Sequence, residues 1–152
     1  MEVGKRSANP VFFLTKEEQN AVLEAIKEVE SRSICEIRVH IARSFKGDVL
    51  DAAKRVFNKL GMYKTRKRTG VLLYFAVKNK AFAIIGDKGI NEKAGEDFWR
   101  DTAVKMEEFF RQGRFGEGIV AGIREVGAVL EKYFPYEAGD TNELPDDISF
   151  GK

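Results

Sequence analysis

Three carboxylates carry the clearest chemical possibility in this chain: Glu36, Asp87 and Glu92. Asp87 follows Gly86 at the close of an apolar run and precedes Lys88-Gly89, a sequence that favours a tight loop with the carboxylate exposed. Calcium and magnesium take carboxylate and water oxygens, so Asp87, with Glu36 and Glu92 beside it, would supply ligands for such a cation. The alternative for Asp87 is local, a carboxylate that satisfies backbone N–H groups in its own turn. Glu36 has its own alternative, a cross-strand pair with a Lys or Arg.

Arg66, Lys67 and Arg68 form a basic cluster just ahead of an apolar run. Guanidinium groups hold phosphate oxygens bidentately, which makes Arg66 and Arg68 the candidates for a phosphate-containing ligand. The plainer reading is a solvated loop whose charge guards a strand edge. The cluster lacks the interleaved aromatics of a single-strand nucleic-acid platform, so nucleic acid is not an expected partner. His40 is the only histidine and shares a strand face with Glu36 and Arg38, a pattern of surface pairing more than of a general base. Cys35 falls on the opposite, apolar face as an inert core thiol. Gly113 to Gly118 resembles a phosphate loop, but its spacing is wrong and it follows a helix where such loops follow a strand. The acids Glu137, Asp140, Glu143, Asp146 and Asp147 do not follow the calcium-loop pattern and are expected as a solvated acidic terminus.

The elements that must position these groups centre on Arg66 to Glu92. Gly70 to Val77 and Ala81 to Ile85 are short apolar runs joined by Lys78-Asn79-Lys80, which reads as a β-hairpin. Neither run alternates, so both strands are expected to be covered on both faces. The hairpin returns Gly86 and Asp87 to the end where Arg68 and Thr69 enter. Cys35, Ile37, Val39 and Ile41 alternate with Glu36, Arg38 and His40, which predicts a strand with one buried face, nearer an edge than the hairpin. Between this strand and Gly70, Asp48 starts a helix and Gly61 ends it. Strand, helix, strand makes a βαβ unit with parallel strands, which brings Glu36 to the Thr69 and Asp87 end.

Around that unit, Thr15 and Glu18 form a capping box for a first helix from Lys16 to Ser31. After the hairpin Asn91 caps a short turn. Phe98, Trp99, Thr102, Met106, Phe109 and Phe110 mark a third helix, and Ile119, Ile123, Val126 and Leu130 a fourth that Pro135 stops. Gly118 and Gly122 would let a neighbour approach that fourth helix closely. The organisation is a flexible arm over 1–13, an α/β domain over 14–135 and an acidic tail over 136–152, with Ile148 and Phe150 able to anchor the tail's end.

At 152 residues, 43% hydrophobic and 33% charged, the chain has the composition of one globular domain rather than a disordered or fibrous chain. A net charge of +2 gives no general attraction to nucleic acid or anionic membrane. A single cysteine rules out an intrachain disulfide and a Cys-based metal site. No stretch approaches the ~20 apolar residues of a membrane helix and none reads as a signal peptide, so a soluble, cytoplasmic protein without membrane insertion is expected.

Several stretches, taken together and in order, resemble the TPM-domain family: Glu36-Ile37-Arg38-Val39, Gly70-Val71-Leu72, Ile84-Ile85-Gly86, and Gly113 with Phe115, Gly118 and Ile119. The similarity spans Leu14 to Phe134. It implies a three-layer α/β/α sandwich, a small mixed sheet with the hairpin at its centre and about four helices. It also implies divalent-cation binding, calcium especially, and a phosphatase activity known from the plant branch. Many members are membrane-anchored. This chain departs from the family pattern where an acid often stands two residues before the strand-opening glycine, a place held here by Arg68. It departs again at Gly86-Asp87-Lys88-Gly89-Ile90-Asn91-Glu92, one residue longer than the usual turn. The competing function is a non-catalytic module for protein interaction or assembly, since no nucleophile–base pair is evident.

Overall fold

The computed structural model describes residues 6–137 and 148–151, the Glu96 side chain excepted. The described elements run in the order α1 (Pro10–Phe13), α2 (Lys16–Arg32), β1 (Glu36–Ala42), α3 (Val49–Lys59), β2 (Gly70–Ala76), β3 (Ala81–Gly86), α4 (Lys88–Ala94), α5 (Glu96–Arg111), α6 (Phe115–Tyr133) and β4 (Ile148–Gly151). A short 3-10 turn, Met62–Lys64, leads from α3 toward β2.

The sheet has strand order β3-β2-β1-β4. β1 lies parallel to β2, with Glu36 opposite Gly70 and Ala42 opposite Ala76. β2 and β3 form the antiparallel hairpin read from the sequence, with Ala76 opposite Ala81 and Val71 opposite Gly86. Every residue of β2 is buried. β3 is an edge strand and mostly half-buried, so the expectation of two doubly covered strands holds only for β2. The outer place expected for β1 is taken by β4, which pairs parallel with it from Val39–Ile148 to Ala42–Gly151. A neighbour from the far end of the chain has no local signature, and it covers His40 on the polar face of β1.

Side-chain alternation then sorts the core into two faces. Ile37, Val39 and Ile41 of β1 with Val71, Leu73 and Phe75 of β2 pack against α2 and α6. Leu72, Tyr74 and Ala76 turn the other way, onto Ala52, Ala53 and Phe57 of α3. The result is the three-layer α/β/α arrangement. The capping box forms, with Glu18 N–H donating to Thr15 Oγ1 and Thr15 N–H to Glu18 Oε1. Met106 packs where a Cβ on Gly122 would stand, and Phe110 where one on Gly118 would, so the two glycines serve close helix approach as their spacing predicts. In the segment expected as an arm, Phe13 enters the core and Arg6 pairs with Glu18 at 2.6 Å.

Candidate functional site

The N-terminal ends of β1 and β2 and the exit of β3 meet at one rim. Glu36 N–H donates to Thr69 O at 3.2 Å, and Asp87 N–H donates to Gly70 O at 2.9 Å. The hairpin thus delivers Asp87 beside Thr69, and the parallel register delivers Glu36 to the same end, as the order of the elements predicts. Glu36 is 4% exposed and Asp87 6% exposed. The exposed carboxylate expected at Asp87 is therefore not what forms. Asp87 is the N-cap of α4, a helix where only a short turn was expected, and its carboxylate accepts from the Lys88 N–H at 2.8 Å.

The second partner of Asp87 is Arg68. Its Nε donates to Oδ2 at 2.7 Å and its Nη2 to Oδ1 at 2.9 Å, a bidentate pair that raises the guanidinium's pKa further. Arg68 is held in the left-handed region at φ 56°, with its N–H on Thr65 O and its carbonyl accepting from Gly89 N–H at 3.0 Å. A Cβ on Gly89 would come within 2.3 Å of Lys67 O, so glycine is what allows α4 to close onto this loop. Lys67 reaches Glu137 at 2.9 Å and holds that carboxyl below its usual range. Arg66 adds its field to the same carboxyl.

With Arg68 paired to Asp87, these residues are not gathered as a preformed metal site. The guanidinium of Arg68 stands against Asp87 where a cation would bind, Glu92 is exposed on α4, and no group of three or more His, Cys, Asp or Glu among the described residues could hold one. Asp140, Glu143, Asp146 and Asp147 lie outside the described residues.

A second polar centre sits at the other end of β1. His40, expected at the surface, is 8% exposed because β4 covers it: its Nδ1 hydrogen-bonds Ser149 Oγ at 2.7 Å. Its ring stacks on Tyr74 with centroids 5.8 Å apart and planes at 9°. Burial, reinforced by the charges of Arg38 and Lys59, lowers its pKa to about 4, so the imidazole is neutral at neutral pH. Burial raises the Tyr74 phenol, and Arg55 offsets part of that. Tyr74 lies within an apolar run and Ser149 in the tail, which hides this centre from the sequence. The one legible sign was Arg55 and Lys59, four apart on a helix face.

A family model described as the TPM domain matches residues 10–129. Among solved structures, protein BA42 from the psychrophilic bacterium Bizionia argentinensis is 45% identical, with a TM-score of 0.86 over 91% of this chain and 96% of that one. The N-terminal domain of a P. gingivalis protein shares the fold at 17% identity and TM-score 0.66, covering 80% of this chain and 78% of its own. The N-terminal domain of cg2496 from Corynebacterium glutamicum does so at 13% and 0.64, covering 86% and 81%. No protein of curated function matches the chain. No helix among the described residues is long and apolar enough to cross a membrane.

Proposed function

The chain belongs to the TPM-domain family, and on that premise we propose a non-catalytic binding domain whose acidic sheet end takes a divalent cation, calcium by class, in competition with Arg68. The observation that supports it is the bidentate Arg68–Asp87 pair, set at the rim that Glu36 shares. Arg68 is a built-in counter-ion: it stabilises Asp87 when no cation is present and must let go for one to bind. The cation is therefore bound weakly by the wild-type chain, and its arrival frees the loop that carries Arg66, Lys67 and Arg68.

The test is a calcium and magnesium titration of the wild type, Arg68→Gln and Asp87→Asn, followed by backbone amide shifts. Arg68→Gln should bind calcium at least about tenfold more tightly than the wild type, and Asp87→Asn should lose it. Equal affinity in wild type and Arg68→Gln, or no response at Asp87 in either, overturns the reading. A second proposal, phosphate-ester hydrolysis with Arg66 and Arg68 as phosphate holders, is favoured by their place on the loop that closes the rim. Turnover of an aryl phosphate that disappears in Arg68→Gln would support it, and no turnover at any metal concentration would remove it.

A further inference from the structure

The geometry points to a second ligand site, a cationic groove between α3 and the C-terminal ends of β1 and β4, that takes a nucleotide, a phosphate ester carrying a planar aromatic base. The groove has a volume of about 1050 Å³, just above the ~300–1000 Å³ of small-molecule sites. It opens at the carboxyl end of the parallel strands, the end where ligands of open α/β sheets gather, and so stands at the opposite end of β1 from the Glu36 rim.

Its walls combine two chemistries. Arg43, at the end of β1, and Arg55 and Lys59, on one face of α3, line it, are exposed, and make no ion pair with any described residue. Neither Asp48 nor Asp51, the acids nearest in sequence to α3's basic residues, lines it. The remaining wall is aromatic, with Tyr74 packed edge-on against Phe45 at 6.4 Å and parallel to His40. Phe150 closes the β4 side. A bare inorganic anion would satisfy the three cations and leave the ring wall unused. An uncharged aromatic would use the wall and leave the cations unanswered. A monophosphate carrying a planar ring satisfies both, with its phosphate on Arg43, Arg55 and Lys59 and its ring against Phe45 and Phe150, the buried Tyr74 holding Phe45 in place. His40 and Tyr74, both neutral, add no charge to this wall.

The experiment titrates the full chain with AMP, adenosine and inorganic phosphate, followed by amide and imidazole shifts. AMP should move Phe45, Tyr74 and Ser149 amides and the His40 imidazole, and should bind at least about tenfold more tightly than phosphate or adenosine. The double variant R55A/K59A should lose about tenfold or more in AMP affinity with an unchanged melting temperature, while Arg68→Gln should bind AMP as the wild type does. No response to AMP at about 10 mM overturns the site, as does binding that survives R55A/K59A or is lost in Arg68→Gln. Affinity that climbs with the length of an oligonucleotide replaces the proposed ligand with a nucleic acid.

Discussion

At the scale of single residues, burial changes what each ionisable group does. Asp87 was readable as chemically special because it follows Gly86 and precedes Lys88-Gly89, yet its environment makes it a helix cap and ion-pair partner. His40 shows the reverse: alternation places it on a polar strand face, and a strand from the tail then buries it. The groups facing it are Arg38 on its own strand, Lys59 on α3, Tyr74 on β2 and Ser149 on β4. Its folded pKa of about 4 lies below the unfolded 6.5, so the unfolded chain takes up a proton first as pH falls. Above pH 6.5 His40 has no effect on stability. Between 6.5 and about 4 it makes stability fall, and below 4 the loss is complete. Denaturant unfolding at pH 7.5 and 5 should show this decline. It should flatten in His40→Gln, whose amide keeps a polar partner for Ser149. Glu18 adds a further loss in stronger acid: burial raises its carboxyl, but Arg6 and the Thr15 and Gly116 amides outweigh this and hold it low.

At the scale of elements, two glycines test how closely parts of the chain must approach. Gly89 sits in α4 against main-chain oxygens, with Lys67 O 2.3 Å and Arg68 O 2.7 Å from a notional Cβ. Backbone cannot move aside cheaply, so Gly89→Ala should lower stability by about 1–3 kcal/mol and loosen the Arg68–Asp87 pair. Gly122 sits in α6 against Met106, Sδ at 2.4 Å and Cγ at 2.9 Å, a contact with an unbranched side chain rather than with backbone. Gly122→Ala gains helix propensity of up to about 1 kcal/mol and should cost less than Gly89→Ala. Paired thermal melts decide the order, and Gly122→Ala proving the more damaging would show α5–α6 packing to be the stiffer contact. The need for closeness in α6 was visible in the spacing of Gly118 and Gly122. The need at Gly89 was not, because the atoms it meets belong to a loop about twenty residues earlier, brought near only by the hairpin.

At the scale of the whole molecule, one sheet carries both halves of the core, so the faces should unfold together. Phe57 anchors the α3 face and Ile123 the α6 face, each buried. Phe57→Ala and Ile123→Ala should each lower stability by about 2–5 kcal/mol, with circular dichroism and fluorescence giving one coincident transition. Separate transitions in either variant would mean that β2 does not couple the faces. The sequence by itself determined the hairpin, the parallel β1–β2 pair, the capped α2 and the arrival of Glu36 and Asp87 at one end of the sheet, because period, caps and short connections are local and a parallel pair has a defined sense. Only the tertiary structure decided that β4 borders β1, that His40 is buried, that Arg68 occupies Asp87, and that Arg43, Arg55 and Lys59 gather on one groove. Each of those depends on groups far apart in the chain, whose contact is set by how the layers pack rather than by any pattern along the backbone.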